Sequence, residues 1–262
     1  LTVPLAAETV KAVRRAWLDH HVLVFPDQRL SDQDFERFVG YTGPIGDDPF
    51  IAPIEGKTHI AAIRRDADET GKPFAETWHT DWSFMQTPPA ATCLYGITIP
   101  ATGGDTLFVN QHKAFAEMPA NLRQKLDGHI GLHSARWAYA DDGYYAADKY
   151  DGTMAIKTSN AAKSVYGHPL IRPHPETGRL GIFAGSYVLG LQSVPDEKTG
   201  EILADLNDWI DRPEFQYRHK WQQDMLIMWD NRSVLHKATG GYEGHDRLLH
   251  RLTIADAPAF YL

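Results

Sequence analysis

The spacing of apolar residues predicts helices near the start of the chain and strands over most of the remainder. In "ETVKAVRRAWLDHH" (8–21) four apolar residues recur at helical intervals: Val10, Val13, Trp17 and Leu18. The next segment, "VLVF" (22–25), is typical of a short buried strand. Ser31 followed by Asp34 resembles a capping box, so a second helix is expected to begin there.

From about residue 58, short apolar segments bounded by Gly, Pro, Asp and Asn predict strands. In chain order they are "THIAAIRR", "TWHTDWSF", "ATCLYGITI", "TLFVN", "IGLHSARW", "PLIRP", "LGIFAG", "YRHKW", "DMLIMWD" and "RLLHRLTIAD". Two helical stretches interrupt them, at 111–127 with a break at Pro119 and at 196–210. Many short strands with few helices predict a mainly β fold with flanking helices, either a sandwich or a jelly-roll barrel.

Composition narrows the class of protein. The 262 residues are 43% hydrophobic and 23% charged, which fits one globular domain over 1–262. A net charge of −8 gives no reason to expect nucleic acid or an anionic membrane surface as partner. No segment resembles a membrane span, so a cytoplasmic protein is expected. The single cysteine, Cys93, rules out an internal disulfide and a cysteine-based metal site.

Residues 138–165 stand apart because they are rich in Ala, Asp, Gly, Lys and Tyr and show no clear period. Long irregular segments in compact domains are often lids or binding loops. Two interpretations stay open, a lid over a functional site and a surface insertion.

A histidine and a carboxylate lie two residues apart in "ETWHTDWSF" (76–84), at His79 and Asp81. The pattern predicts a strand, on which side chains two apart share a face and can be adjacent ligands of one metal ion. The alternative is a solvated pair at a strand end. The flanking aromatic residues argue against full exposure: Trp78, Trp82 and Phe84.

His236, between an apolar strand and a Gly-Gly turn, is the best candidate for a third ligand. Two histidines and one carboxylate form a facial triad that suits ferrous iron and leaves three coordination positions open. The His-Glu-x-x-His pattern of many zinc hydrolases is absent. His174 and Glu176 have the same spacing as the first pair, but their proline-rich segment predicts a turn.

The segment "HDRLLHRLTIAD" (245–256) carries two arginines, Arg247 and Arg251, on the same face of a predicted strand. If that face is interior, each guanidinium needs an anion, and its planar fork suits a carboxylate. The opposite face is also apolar, with Leu248, Leu252 and Ile254. Periodicity alone therefore leaves both orientations open.

Several separated blocks resemble the taurine dioxygenase / 2,4-dichlorophenoxyacetate dioxygenase family. They are "LVFPDQRLSDQDFERFVGYTGPIG", "WHTDWSF…PPAATCLY…GGDTLFVN" and "EFQYRHKWQQDMLIMWDNRSVLHKATGGY…DRLLHRLTIAD". The resemblance covers nearly the whole chain. It implies a dioxygenase that uses Fe(II), 2-oxoglutarate and dioxygen (O2), with a double-stranded β-helix core, a cupin-like jelly-roll. It also implies that the two arginines face inward.

The resemblance implies a role for each matching residue. The iron ligands would be His79, Asp81 and His236. Thr106 and Arg247 match residues that bind the far carboxylate of 2-oxoglutarate. Arg251 matches a second arginine, which contacts the sulfonate of the substrate in the taurine enzyme.

Departures from the taurine enzymes concern the substrate. Ala75 replaces an asparagine, and "FIAPIEG" (50–56) lacks a histidine, so taurine itself is not expected. Trp82 is bulkier than the aliphatic residue at the matching place and is a candidate substrate contact. Phe183 matches an aromatic pocket residue, although a plain core phenylalanine is an equal interpretation.

The hypothesis is hydroxylation of an unactivated C–H bond in a small anionic substrate, with release of succinate and CO2. The resemblance further suggests a homo-oligomer, a dimer or a tetramer. Two alternatives remain. One is a cupin-like metal isomerase or hydrolase that needs no 2-oxoglutarate, and the other is a non-catalytic jelly-roll that binds a small anion.

Overall fold

The computed structural model describes residues 1–257, and within them the strands pair antiparallel and six α-helices flank them. The strands are β1 (Val22–Phe25), β2 (Ala61–Arg65), β3 (Ala91–Thr98), β4 (Thr106–Asn110), β5 (Ile130–His133), β6 (Tyr166–Pro169), β7 (Ile171–Pro173), β8 (Leu180–Ile182), β9 (Val188–Leu191), β10 (Gln216–His219), β11 (Leu226–Asp230), β12 (Val234–Ala238) and β13 (Arg247–Ile254). The α-helices are α1 (Ala7–His20), α2 (Asp32–Thr42), α3 (Gln111–Ala116), α4 (Ala120–Leu126), α5 (Arg136–Tyr139) and α6 (Asp196–Ile210).

Two facing sheets form the core. The major sheet has the strand order β1-β11-β3-β13-β2, and the minor sheet has the order β10-β4-β12. Apolar residues of both sheets pack together between them: Leu94, Phe108, Ile227, Trp229, Val234 and Leu249. This is a mainly β jelly-roll with flanking helices, as the sequence predicts. Among the described helices, none is long and apolar enough to cross a membrane.

Helices cover the outer faces of both sheets. Trp17 of α1 and Phe35 of α2 pack against the outer face of the major sheet, which includes Leu252 and Ile254 of β13. Helix α2 begins with the predicted capping box, in which Ser31 Oγ accepts from the backbone N–H of Asp34. Because helices bury the outer face, both faces of β13 are interior. That is why its apolar pattern does not reveal which face is which.

Most predicted strands are present, but the prediction for "TWHTDWSF" is wrong. His79 makes one isolated β-bridge, to His236, and the chain then turns through residues 81–84. Trp82 has φ 47°, a conformation incompatible with a continuing strand. Three strands have no counterpart among the predicted segments, namely β6, β9 and β12. The exposed or glycine-containing sequences of β6 and β9 give little alternation, and β12 is buried over three consecutive residues and so shows no alternation either.

Candidate active site

Backbone pairing brings the two histidines of the triad together. The N–H of His79 donates to the carbonyl of His236 at 3.1 Å, and the N–H of His236 donates back to the carbonyl of His79 at 2.9 Å. Their imidazole rings lie 4.2 Å apart, centroid to centroid. The turn that follows His79 then directs Asp81 toward the same point. A turn, and not a shared strand face, therefore unites His79 and Asp81.

The predicted triad is one compact, buried group. Asp81 Oδ1 lies 3.7 Å from Nε2 of His79 and 3.7 Å from Nε2 of His236. The three candidate ligand atoms all lie within 4.8 Å of one another. No other set of three His, Cys, Asp or Glu side chains in residues 1–257 comes together in this way. The site thus contains two imidazoles and one carboxylate, the donor set predicted for ferrous iron.

The protonation states fit metal binding. Burial lowers the pKa of His79 and lowers that of His236 to about 3, so both imidazoles are neutral near pH 7. Nδ1 of His79 donates to the carbonyl of Thr77 at 2.7 Å, which leaves Nε2 with the lone pair. Burial alone would raise the pKa of Asp81, but Arg251 and the two histidines hold it below its usual range. Neutral histidines and an ionised carboxylate are the forms that bind a metal ion.

A chain of buried hydrogen bonds orients Asp81. Thr92 Oγ1 donates to Asp81 Oδ2 at 2.6 Å, and Asn231 Nδ2 donates to Thr92 Oγ1 at 2.9 Å. Trp229 Nε1 in turn donates to Asn231 Oδ1 at 2.8 Å. These residues escape sequence reasoning because they lie on β3, β11 and the following turn, far from Asp81 in the chain. They leave Oδ1 of Asp81 as the oxygen that faces both histidines.

Arg247 and Thr106 lie together at one end of the site. The Arg247 side chain is buried, and its Nη2 donates to the carbonyl of Gly104 at 3.1 Å. Trp221 Nε1 donates to Thr106 Oγ1 at 3.0 Å. Gly104 has φ 66°, and a Cβ there would lie 3.0 Å from Arg247 Nε, so glycine is required for this approach. Nε of Arg247 has no hydrogen-bond partner among the described residues.

Arg251 is also buried, but between two carboxylates. Its Nε lies 3.1 Å and 3.2 Å from the two oxygens of Asp48, and its Nη2 lies 3.3 Å from Asp81 Oδ2. Trp82 Nε1 donates to Asp48 Oδ1 at 2.6 Å, and the guanidinium lies 5.2 Å from the Trp82 ring centroid. The inward orientation implied by the resemblance is observed for both arginines. Asp48, in "GDDP", carries no sequence signal of a buried ion pair.

Two cavities meet at His79. The inner cavity, about 60 Å³, is lined by all three triad residues together with Thr106, Arg247 and Arg251. The aromatic cavity, about 610 Å³, is lined by Phe74, Trp137, Tyr139, Tyr144, Tyr145 and Tyr187. Five residues line both cavities: Lys72, Phe74, Ala75, His79 and Tyr145. The larger volume falls in the range of small-molecule sites.

Trp82 and Phe183, the predicted substrate contacts, lie outside both cavities. Within the described chain, neither residue lines the inner or the aromatic cavity. Trp82 is 2% exposed and packs against Phe50 and Phe84, while Phe183 stacks on His133 with ring centroids 5.4 Å apart. Both are core residues in this structure. The aromatic residues that do line the larger cavity come mainly from the region around 137–145, which has no periodic pattern.

Comparison with known proteins identifies the family. The model of the family described as "Taurine catabolism dioxygenase TauD, TfdA family" matches residues 1–253. The chain belongs to this family. The predicted enzyme class, a non-haem iron dioxygenase dependent on 2-oxoglutarate, is confirmed. Enzymes of this class use Fe(II), 2-oxoglutarate and O2, as predicted.

Relatives resemble the chain over most of their length. It is 30% identical to a 2,4-dichlorophenoxyacetate dioxygenase of Cupriavidus pinatubonensis, over 96% of this chain and 90% of that protein. It is 29% identical to an alkylsulfatase of Acinetobacter baylyi, over 97% of this chain and 79% of that protein. A solved taurine dioxygenase from Burkholderia xenovorans is 28% identical, with a TM-score of 0.79 over 98% of this chain and 84% of that chain. The predicted jelly-roll is thereby confirmed.

Proposed function

We propose that the enzyme hydroxylates an unactivated C–H bond of a small organic anion and releases succinate and CO2. The observation that carries this proposal is the buried group of His79, Asp81 and His236, which opens on a cavity that also contains Arg247 and Thr106. Ferrous iron bound there would supply the activation of dioxygen that is coupled to decarboxylation of 2-oxoglutarate. The alkylsulfatase and the 2,4-dichlorophenoxyacetate dioxygenase among the relatives support an anionic substrate.

Arg247 and Thr106 would bind the far carboxylate of 2-oxoglutarate. Arg247 is a buried guanidinium with an unused N–H, and no carboxylate lies in ion-pair contact with it in residues 1–257. Such a group favours an anionic ligand, because the ligand would replace the counter-ion that the protein does not provide. Thr106 Oγ1 accepts from Trp221, and its own proton is available to donate.

The substrate body would lie in the aromatic cavity, beside His79. Six aromatic side chains line that cavity, and they favour an apolar or aromatic body over a strongly hydrated one. The 138–165 segment supplies Tyr145 to both cavities and Tyr150 and Met154 to the inner one. It would act as a lid that excludes water once the substrate is bound.

Arg251 would act mainly on the iron ligand. Its guanidinium contacts Asp81 Oδ2 and thereby keeps that carboxylate ionised, while Asp48 balances the remaining charge. A cytoplasmic location and a dimeric or tetrameric assembly stay predictions.

The test is anaerobic addition of Fe(II) and then 2-oxoglutarate to the purified protein. A weak visible charge-transfer band should appear, because the keto acid chelates the iron, and oxygen should then yield succinate. Succinate in place of 2-oxoglutarate is the control and should give no band, because it lacks the keto group. Absence of the band from folded protein that binds Fe(II) would contradict the proposal and favour an isomerase, a hydrolase or a binding protein.

A further inference from the structure

Five cationic residues line the inner cavity. They differ in whether a protein carboxylate contacts the side chain and balances its charge. They are Arg64, Arg65, Lys72, Arg247 and Arg251. Three of them contact carboxylates: Arg64 bonds to both oxygens of Asp66 at 2.7 and 3.0 Å, Lys72 lies 3.1 Å from Glu76, and Arg251 lies between Asp48 and Asp81. Arg65 and Arg247 have no carboxylate within ion-pair distance in the described chain. Glu69 also lines this cavity, but its carboxylate makes no ion pair with either arginine. Arg65 and Arg247 therefore lack a contacting counter-ion in the described chain.

Arg65 is buried, and protein groups occupy only part of its guanidinium. The residue is 8% exposed, and its Nη2 donates to the carbonyls of Glu69 and Gly71 at 2.9 and 2.8 Å. Its Nε and Nη1 donate to no group in residues 1–257. Carbonyl oxygens accept hydrogen bonds but do not neutralise a buried charge, so an oxyanion would stabilise this site.

The two unbalanced arginines face each other. Arg65 of β2 is the direct cross-strand partner of Arg247 of β13, on the inner face of the major sheet. Each guanidinium lies 5.7 Å from the ring of Tyr242. Like charges directly opposite on adjacent strands destabilise a sheet. This arrangement therefore favours bound anions at this end of the cavity.

Arg65 and Arg247 have different neighbours, and these neighbours suggest different ligands for the two side chains. Arg247 contacts Gly104 and lies near Trp221 and Thr106, on the side of the minor sheet. Arg65 instead bonds to the 69–71 backbone, and Gly71 lines the aromatic cavity. Arg65 itself lines only the inner cavity, but the backbone that it bonds to adjoins the aromatic cavity. Of the two arginines, Arg65 is therefore the one connected to the substrate side of the site.

We propose that Arg65, and not Arg251, binds the anionic group of the substrate, a carboxylate or a sulfate attached to an apolar or aromatic body. This inference rests on the proposed function. Arg251 is a poor receptor because Asp48 and Asp81 already balance its charge. Arg65 offers unused N–H donors in a fork that matches a carboxylate or sulfate.

The test uses full-length enzyme loaded with Mn(II) and N-oxalylglycine, an unreactive analogue of 2-oxoglutarate. Calorimetry gives the Kd of two anionic probes, phenoxyacetate and phenyl sulfate, and of 2-phenoxyethanol, an uncharged counterpart. The parent enzyme should bind at least one anion about tenfold or more tightly than the alcohol. Arg65→Gln should abolish this preference, and Arg65→Lys should keep part of it, because the charge remains. Arg64→Gln is the matched control and should keep the full preference, because Asp66 already balances Arg64.

Three results would overturn the inference. They are a full preference in Arg65→Gln, no preference for either anion in the parent enzyme, and weaker N-oxalylglycine binding in Arg65→Gln. The last result would assign Arg65 to the cosubstrate. The iron–2-oxoglutarate band distinguishes this failure from failure of the proposed function. If Arg65→Gln and the parent both form the band while the anion preference is absent, only the assignment of Arg65 is wrong.

Discussion

Arg247 and Arg251 lie on the same face of β13, yet their electrostatic surroundings are opposite. Burial lowers the pKa of Arg247, which has no carboxylate in contact among the described residues. Burial would do the same to Arg251, but Asp48 and Asp81 raise its pKa above the ordinary value. One end of the site therefore has an unbalanced cation, and the other end has a balanced ionic network that includes a predicted iron ligand.

This difference shows that a buried arginine is evidence for an anionic ligand only when no carboxylate of the protein balances its charge. The strand pattern gives the same signal for both residues. The Arg247 end is suited to bind an anion that enters with the cosubstrate. The Arg251 end is suited to hold Asp81 in place. Each prediction below removes a group from one of the two ends.

The largest effect is expected from Asp81→Ala, which removes both the candidate ligand and one of the carboxylates beside Arg251. Iron affinity should fall by more than about 100-fold, and the charge-transfer band and succinate formation should be lost. Metal titration and anaerobic absorption measure these quantities. Asp205→Ala, on the surface, is the control and should retain the band. Retained succinate formation in folded Asp81→Ala would remove Asp81 from the site.

A smaller effect is expected from Asp48→Asn, which keeps the shape of the side chain and removes its charge. Arg251 would then have only Asp81 as counter-ion, which destabilises the fold. Burial already raises the pKa of Asp48, so loss of its charge offsets part of that cost, and the free energy of unfolding should fall by about 2 kcal/mol. Urea unfolding of the metal-free protein measures the change. Asp205→Asn, in a half-exposed pair with Lys125, should change stability by less than about 1 kcal/mol. Equal effects of the two substitutions would show that the Arg251 end is not a balanced network.

The smallest effect concerns pH at the Arg247 end, where His219 is the cross-strand partner of Thr106. Burial lowers the pKa of His219 from 6.5 to about 4, so the unfolded chain takes up a proton there at a higher pH than the folded protein does. Stability is therefore complete above pH 6.5 and falls as the pH decreases. Between pH 6.5 and 5.5 this histidine should account for about 1 kcal/mol of the loss.

The comparison of parent with His219→Gln isolates that contribution. Urea unfolding at several pH values should give a shallower loss of stability for His219→Gln below pH 6.5. Identical slopes for the two proteins would mean that His219 titrates normally in the folded state.

The sequence predicts the fold well where one face of an element is exposed or where apolar runs are continuous. "DMLIMWD" and "TLFVN" become β11 and β4, and the break at Pro119 separates α3 from α4. The pattern is ambiguous for β13 because helices bury its outer face and ligand-binding groups lie on its inner face. Short strands such as β9 are not predicted from the sequence, because few of their residues are fully buried.

For the site, the sequence predicts the residue types and not the way they are held. The triad comes together as predicted, but through a turn at Trp82 and a single β-bridge at His79. Asp48 and Arg65 could not be recognised, because partners distant in the chain define their roles. A charged residue has no sequence feature that reveals whether its counter-ion is a side chain or a ligand.

The most direct test of the contrast between the two arginines is a set of dissociation constants for 2-oxoglutarate and 2-oxobutyrate. The second compound keeps the keto acid but lacks the far carboxylate. Both are titrated into the anaerobic Fe(II) forms of the parent, Arg247→Gln and Arg251→Gln. Arg247→Gln should raise the dissociation constant of 2-oxoglutarate by about tenfold or more. It should change the dissociation constant of 2-oxobutyrate by less than about twofold. Arg251→Gln should lower iron affinity and affect the two keto acids equally. The assignment of the two arginines would be contradicted if Arg251→Gln selectively weakened the binding of 2-oxoglutarate while Arg247→Gln affected the binding of both keto acids equally.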